Sequence, residues 1–69
     1  MATADLDNRF VYHPPKGDQA VRYASIRREA HELARVIDDL APDSREKSLA
    51  ITHLEDAVMW ANAAIARHE

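Results

Sequence analysis

Residues 49–66 read LAITHLEDAVMWANAAIA, and thirteen of these eighteen residues are apolar. Ile51, Leu54 and Val58 follow one another at steps of three and four residues, which is the spacing of one helical face. Trp60 and several alanines extend the apolar surface around the rest of the helix. A helix that is apolar nearly all round must be buried nearly all round, and one short chain cannot bury it. The sequence therefore predicts an oligomer whose ligand sites are shared between subunits.

Size and composition support association. The chain has 69 residues, no cysteine and a formal net charge of −3. A domain this small buries only about 60% of the surface that its unfolded chain exposes, so it usually relies on disulfides, a metal or association. The absence of cysteine excludes disulfides and thiolate metal sites. We expect no cofactor and no metal; a metal on His31 or His53 is the alternative to their being polar helix positions.

Charge is divided unevenly along the chain. Residues 8–28 carry five basic side chains against one acid, whereas residues 37–69 carry three against seven. The acidic total argues against a DNA or RNA polymer as partner, while the basic first third suits a small anion. A solvated basic helix face is the alternative interpretation. The N-terminus has no signal-peptide pattern and no long uncharged apolar run exists, so we expect no membrane partner.

Helix breakers divide the chain into an arm and two long helices. The expected segments of one domain, residues 1–69, are an irregular arm over 1–17, helix one over 18–40 and helix two over 44–67. Pro14 and Pro15 stop any helix before them, and Pro42 ends helix one. A short connection between two long helices gives an antiparallel hairpin. The predicted fold class is all-α: an N-terminal arm and an antiparallel two-helix hairpin, assembled into a helical homo-oligomer.

Local signals refine the two helices. Asp18 is the expected N-cap of helix one, and Asp43 with Glu46 has the form of a capping box for helix two. The apolar stripe of helix one consists of Ile26, Ala30, Leu33, Ile37 and Leu40. One hairpin buries one stripe from each helix, which leaves other apolar positions of helix two for neighbouring subunits. The predicted oligomer interface consists of Ala57, Met59, Trp60 and Ala64.

The arm combines flat rings with positive charge. Phe10, Tyr12 and His13 offer faces on which a base can stack. The basic side chains in and after the arm are Arg9, Lys16, Arg22, Arg27 and Arg28. Base stacking on an aromatic ring is worth about 1–3 kcal/mol, and charge-assisted bonds from arginine to phosphate are roughly twice as strong as neutral ones. This combination suits a compact ligand with bases and a few phosphates; the alternative is that Phe10 and Tyr12 only anchor the arm.

The sequence carries little that points to catalysis. It has no glycine-flanked nucleophile, no cysteine and no phosphate-cradling glycine motif. The acidic pairs Asp38-Asp39 and Glu55-Asp56 are sequence neighbours and so point in different directions on a helix. We therefore expect no enzyme, with a small metal-dependent hydrolase as the remaining alternative. A DNA-binding helix-turn-helix is disfavoured because the helices are too long and the second is acidic.

Four strings of sequence resemble one known family. They are RFVYHPPKGDQ at residues 9–19, PDSREKSLA at residues 42–50, HLE at residues 53–55 and VMWANAAIAR at residues 58–67. On these strings the chain is similar to the anti-CBASS sponge family, small phage proteins that sequester cyclic oligonucleotide signals of bacterial immunity. The resemblance implies a helical hexamer acting in the cytoplasm of the infected bacterial host. It also implies binding of cyclic dinucleotides, and in some members of cyclic trinucleotides at separate pockets, without cleavage.

The resemblance also implies ligand residues. In that family an arm aromatic stacks on a base and a basic residue near the start of helix one helps to bind the cyclic dinucleotide; the matching positions are Tyr12 and Arg27. Arg27 stands where the family can have lysine, which keeps the charge and changes the donor geometry. The sets expected from the sequence are Tyr12, His13, Lys16 and Arg27 for cyclic dinucleotides, and Asn62 and Arg67 for cyclic trinucleotides.

Two functional hypotheses follow. The first is sequestration of 3′,3′-cGAMP-type cyclic dinucleotides, and of cyclic trinucleotides, by mass action. The alternative is a structural or regulatory helical hairpin that binds another protein through the apolar faces of helix two. The first hypothesis predicts that function depends on Tyr12 and Arg27. The second predicts that function depends on Trp60 and not on Tyr12 or Arg27.

Overall fold

The structure of the chain is a computed structural model that describes residues 3–69. Within this range it has no strand and three helices: α1 (Thr3–Phe10), α2 (Gln19–Leu40) and α3 (Arg45–His68). The predicted all-α class and the helical hairpin are therefore confirmed. Met1 and Ala2, which the sequence analysis assigned to the arm, lie outside the described residues. The name "arm" is kept below for residues 3–17.

The two long helices run antiparallel and are joined at both ends. At the open end, the Gln19 amide at the start of α2 donates to the Glu69 carboxylate after α3, at 3.2 Å. At the closed end, the Lys47 ammonium near the start of α3 donates to the Asp38 carbonyl near the end of α2, at 2.7 Å. Because each contact joins the start of one helix to the end of the other, the helices point in opposite directions.

Ser44, in the short connection before α3, caps that helix. Its Oγ accepts a hydrogen bond from the Lys47 N–H at 3.1 Å, which satisfies one of the unpaired donors of the first turn. The prediction that Asp43 occupies the cap position is wrong. The Asp43 carboxylate instead accepts from the Lys47 ammonium at 2.9 Å. This bond lowers the pKa of Asp43 and raises the pKa of Lys47.

The start of α2 is set by a turn. Gly17 has a φ of 57°, in the left-handed region where a side chain would be strained, so glycine suits this position. Asp18 is the N-cap residue, as expected, but its side chain makes no capping bond. Its carboxylate accepts from the Arg22 Nε at 3.2 Å instead. The chain thus changes direction at Gly17 and enters α2 directly.

The arm is not irregular throughout, because Thr3–Phe10 form a helix. Asp5 in its first turn and Arg9 in its last lie one turn apart, with 3.9 Å between their charged groups. Each charge has the sign that its end of the helix dipole favours. Eight residues are too few for apolar periodicity to show, so the sequence offered only this charge spacing as a signal of α1.

No apolar side chain among residues 3–69 is buried. The predicted stripe of α3 is half-buried along its length, at Ile51, Leu54, Val58, Ala61 and Ile65. On α2 the stripe is less protected, since Leu33 remains 49% exposed and Leu40 81% exposed. A single hairpin covers each stripe from one side only, so it encloses none of these side chains.

The exposed surface is large for the mass of the chain. The 7.8 kDa chain exposes 5406 Å², whereas a compact monomer of this mass would expose about 4,400 Å². Its radius of gyration is 15.3 Å, against about 11 Å for a compact domain of its length. The excess of about 1,000 Å² is comparable to the surface that one subunit buries in a standard protein interface.

Candidate functional site

A cavity of about 380 Å³ lies where the arm meets α2 and the C-terminal part of α3. We call it the arm cavity. Its lining consists of Arg9, Val11, Tyr12 and His13 from the arm, Tyr23 and Arg27 from α2, and Asn62, Ala63, Ala66 and Arg67 from α3. The volume falls within the range of about 300–1,000 Å³ that small-molecule sites occupy. Elements from both ends of the sequence are therefore needed to form it.

The arm supplies two rings to this cavity. Tyr12 is 82% exposed, so most of its ring is available for contact. The His13 Nε2 lies 2.7 Å from the Asn8 carbonyl oxygen. Because a carbonyl only accepts, Nε2 carries the proton, and Nδ1 is the acceptor of the neutral ring. Pro14 and Pro15 follow at once and restrict the backbone of the segment that carries both rings.

Helical spacing aligns the residues of the opposite walls. Tyr23 and Arg27 lie one turn apart on α2, and Ala63 and Arg67 lie one turn apart on α3. Alanine ends at its Cβ, so Ala63 and Ala66 leave open the space that larger side chains would fill. The α2 and α3 sides of the cavity therefore combine a ring and two arginines with small alanines that leave space open.

Three guanidinium groups give the arm cavity a positive field. Arg9, Arg27 and Arg67 line it, and none of its ten described lining residues is acidic. The Arg9 guanidinium is 3.9 Å from the carboxylate of Asp5, which lies outside the lining. Arginine stays charged at physiological pH and offers its donors in a planar fork that fits phosphate oxygens. The field therefore favours an anion with several such oxygens.

Asn62 brings an unsatisfied polar atom to the wall. Its Oδ1 is buried and has no hydrogen-bond partner within residues 3–69. Leaving a buried acceptor unpaired costs roughly 1–3 kcal/mol. The side-chain amide also carries donors, and rotation about its last torsion exchanges oxygen and nitrogen. A ligand group that donates a hydrogen bond would remove this cost.

Most of the predicted ligand residues meet in this one cavity. The five that line it are Tyr12, His13, Arg27, Asn62 and Arg67. Residues expected at two separate pockets thus come together within a single chain. Lys16 does not line the cavity, because its ammonium group donates to the Glu69 carbonyl oxygen at the end of α3.

Two of the cavity arginines also border other depressions. Arg27 lines an apolar groove of about 300 Å³ between α2 and α3. Arg67 lines a second depression of about 250 Å³ whose other residues include Trp60 and Ala64. Each of these two arginines therefore borders both the arm cavity and a surface that one chain leaves open.

The four residues predicted at an oligomer interface are all exposed on α3: Ala57, Met59, Trp60 and Ala64. Met59 is 63% exposed and Trp60 is 67% exposed. Monomeric proteins rarely expose large contiguous apolar patches. This face of α3 is therefore available to a partner.

A polar cluster at the open end of the hairpin joins the arm to both helices. We call Lys16, Gln19, Arg22 and Glu69 the end clamp. The Arg22 guanidinium donates to both carboxylate oxygens of Glu69, at 2.7 Å to Oε2. The bonds from Arg22, and then from Gln19, lower the pKa of Glu69 from 4.5 to about 2. The same pairing raises the pKa of Arg22.

Three lining residues, Tyr23, Ala63 and Ala66, were not predicted from the sequence. Tyr23 lies one turn before the predicted ligand residue Arg27, and Ala66 one turn after Asn62. Helical spacing from a known site residue was the signal that would have found them. Phe10, which was a stacking candidate, is 79% exposed and lies outside the lining.

Other kinds of site are not evident in the described part of the chain. Residues 3–69 contain no group of three or more histidine, cysteine, aspartate or glutamate side chains placed to hold a metal ion. His53 and Asp56 form only a pair, 3.9 Å apart. None of the described helices combines the length and the apolar character that spanning a bilayer requires.

The fold and the cavity define a class of protein: a small helical hairpin that gathers aromatic and basic side chains where a short arm meets two long helices. The family model described as "Acb2/Tad1, hairpin domain" matches residues 2–66. The chain therefore belongs to this family, the anti-CBASS cyclic-oligonucleotide sponges, and the family prediction is confirmed. Comparisons with curated proteins and with solved structures gave no match.

Membership gives the general role of the chain. The family consists of cyclic-nucleotide-binding proteins that counter CBASS immunity, and they are binding proteins rather than enzymes. This agrees with a cavity that presents rings and guanidinium groups.

Proposed function

We propose that the chain binds and sequesters cyclic oligonucleotide second messengers, in particular 3′,3′-cGAMP-type cyclic dinucleotides, without cleaving them. The observation that carries this proposal is the arm cavity, in which Tyr12, His13 and Arg27 meet Arg67. In the cytoplasm of an infected bacterial host, tight binding lowers the free messenger below the level that activates a killing effector. Sequestration needs abundant protein and slow dissociation, and it needs no turnover.

Tyr12 and His13 are the proposed stacking residues. The Tyr12 ring is 82% exposed beside the cavity, which leaves a face for a purine. His13 is held by its bond to the Asn8 carbonyl, so its ring is oriented before a ligand arrives. A ring that is already in place loses little conformational entropy on binding, which favours affinity.

Arg27 is the proposed phosphate residue. Arg27 lines the cavity from α2 and Arg67 lines it from α3, so a ligand with two phosphates can meet one arginine from each helix. Bidentate bonds from arginine to phosphate are among the stronger hydrogen bonds in proteins. Lys16 remains in the proposal as a source of positive field, because its ammonium group is bonded to the Glu69 carbonyl.

Asn62 and Arg67 are the proposed residues for cyclic trinucleotides. Arg67 borders both the arm cavity and the depression beside Trp60, and the latter lies on the proposed subunit interface. We place the trinucleotide on the Trp60 side, where a neighbouring subunit would complete the site. Asn62 lines the arm cavity and not this depression, so its unpaired Oδ1 would accept from a base amine on the arm-cavity side of α3.

Assembly is part of the proposal. The exposed surface exceeds that of a compact monomer by about 1,000 Å². The proposed partner is a second copy of the chain, contacting Ala57, Met59, Trp60 and Ala64; the family resemblance suggests six subunits. Arg27 lies at the border of the open apolar groove, so a copy that covered this groove would also cover part of the ligand cavity. Such covering would slow the release of the ligand.

The direct test is calorimetric titration of the chain with 3′,3′-cGAMP, followed by chromatography of the recovered ligand. We expect saturable binding and full recovery of the intact ligand after heat denaturation of the protein. The linear dinucleotide of the same bases is the matched control and should bind less tightly. An absence of binding would contradict the proposal, and conversion of the cyclic ligand to a linear product would contradict sequestration.

A second candidate function rests on the exposed apolar face of α3. A structural or regulatory hairpin could use Met59 and Trp60, each more than half exposed, to bind a different protein. In that case Tyr12→Ala and Arg27→Ala would leave protection of a phage against CBASS intact, whereas Trp60→Glu would abolish it. Loss of protection in arm variants that remain assembled would exclude this alternative.

A further inference from the structure

Gln19 is the one residue among residues 3–69 that is buried, with 3% of its surface exposed. Glutamine is ordinarily exposed, and enclosed positions are usually apolar. In this chain the apolar stripes are only half-buried, while the open end of the hairpin encloses an amide. The position of Gln19 therefore needs an explanation other than hydrophobic packing.

Both polar atoms of the Gln19 amide are bonded. Its Oε1 accepts from the Lys16 backbone N–H at 3.1 Å, and its Nε2 donates to the Glu69 Oε1 at 3.2 Å. A backbone N–H only donates and a carboxylate only accepts, so these two partners fix the orientation of the amide. The amide thus joins the last part of the arm to the end of α3.

Glu69 is held from a second side. The Arg22 guanidinium donates to both of its carboxylate oxygens, and the Lys16 ammonium donates to its carbonyl oxygen. Two parallel bonds between arginine and a carboxylate restrict geometry as well as adding energy. The end clamp therefore connects the arm, α2 and α3, and none of its four residues lines the ligand cavity.

Stiff connections lead from the clamp to the cavity. Pro14 and Pro15 alone separate His13 from Lys16, and proline fixes its own φ angle. On the other side, Arg67 lies in the last turn of α3, just before Glu69. The clamp thus restricts the position of one proposed ligand residue in the arm, His13, and of another on α3, Arg67.

We propose that Gln19, Arg22 and Glu69 are positioning residues of the ligand site. They hold the arm in the position at which its two cavity rings, Tyr12 and His13, face Asn62 and Arg67 of α3. This inference rests on the proposed function of the cavity. Without the clamp, the arm would sample positions in which the cavity is incomplete. The affinity of the population would then fall in proportion to the fraction of chains that keep the arm in place.

Two variants test the clamp by calorimetric titration with 3′,3′-cGAMP. Gln19→Leu removes both amide bonds at similar volume, and Glu69→Gln removes the charge at a partly exposed position. If a tenth of the arms stay in place, the dissociation constant rises about tenfold. Arg35→Gln is the matched control, because Arg35 pairs with Glu32 on the surface of α2, away from the clamp, and it should leave affinity unchanged.

A distance measurement separates positioning from general stability. The chain has no cysteine, so spin labels at Ala4→Cys and Thr52→Cys report on the arm and α3 alone. Labelled protein is diluted with unlabelled protein so that distances within one chain dominate. We expect a narrow distance distribution in the parent protein and a broad one in both clamp variants, with helix content by circular dichroism unchanged.

The outcomes are distinct. Wild-type affinity in a folded Gln19→Leu or Glu69→Gln variant would overturn the proposal, and so would an unbroadened distance distribution. Should Gln19→Leu fail to fold, Glu69→Gln decides the result. If the parent protein itself does not bind the cyclic dinucleotide, the proposed function fails, and the label distances still decide whether the clamp positions the arm.

Discussion

Tyr12 of the arm and Arg67 of α3 line the same cavity, although they lie near opposite ends of the chain. Two features bring them near each other: the antiparallel course of α2 and α3, and the end clamp, in which Lys16 of the arm is bonded to Gln19 and Glu69. The ring of Tyr12 and the positively charged Arg67 thereby border one volume. This arrangement leads to predictions that separate ligand binding, ligand choice and folding.

The Tyr12 ring should supply stacking energy. Tyr12→Ala is expected to weaken 3′,3′-cGAMP binding by about 1–3 kcal/mol, or roughly 5- to 150-fold in dissociation constant. Tyr12→Phe keeps the ring and should lose much less. Titration calorimetry on assembled protein measures both. Equal losses in the two variants would assign the effect to the phenol hydroxyl instead of to stacking.

Arg67 should distinguish the two classes of ligand. We expect Arg67→Ala to weaken cyclic-trinucleotide binding more than cyclic-dinucleotide binding, and Tyr12→Ala to do the reverse. Protein already saturated with the dinucleotide should still take up a trinucleotide, because Arg67 also borders the depression beside Trp60. Sequential titration checks this, and full competition between the two ligands would place both in the arm cavity.

Ser44, not Asp43, should stabilise the start of α3. Ser44→Ala removes the acceptor of the Lys47 N–H bond and is expected to cost about 1 kcal/mol of unfolding free energy. Asp43→Ala removes only an exposed ion pair and should cost less. Urea unfolding at a fixed chain concentration measures both, since association also contributes to stability. A larger loss in Asp43→Ala would restore the original capping-box interpretation.

Glu69 should make stability depend on acid pH. Its pKa in the folded chain is about 2, below its ordinary value of 4.5, because Arg22 and Gln19 bond to the ionised form. A lowered pKa contributes stability that is complete above pH 4.5 and is lost as the pH falls toward 2. The gap in urea midpoint between the parent and Glu69→Gln should therefore close over that range, whereas a gap that stays constant would show that it does not come from the ionised Glu69 carboxylate.

The hairpin was predictable because its signals are local and repeated. The α3 stripe at Ile51, Leu54 and Val58 has helical spacing, and Pro42 marks the end of α2. The N-cap of α3 was harder to predict, since Asp43 and Ser44 are adjacent residues whose side chains can both accept from a backbone N–H. Lys47 decided between them by drawing the Asp43 carboxylate to its ammonium group. The choice of N-cap residue depends on side-chain positions, which the spacing of apolar residues in the sequence does not reveal.

The site was predictable by residue type and not by arrangement. Rings in the arm, with basic side chains in and after it, indicated a base and phosphate ligand, but no pattern indicated that Asn62 would line the same cavity as Tyr12. Lys16 shows the reverse case, because its charge suggested phosphate while the fold engages it with Glu69. Contacts between segments that are distant in sequence depend on the tertiary fold. In this chain the end clamp joins the arm to α2 and α3 and so sets those contacts.

Native mass spectrometry of the chain after incubation with 3′,3′-cGAMP tests whether an assembly of this chain sequesters the ligand, since one spectrum reports subunit number, bound ligand and ligand mass. We expect an assembly of several copies, six by family resemblance, that carries the cyclic dinucleotide at its intact mass. Tyr12→Ala protein should give the same assembly with little ligand bound. A folded single chain that holds the ligand, or an assembly that holds none or releases a linear product, would contradict the account.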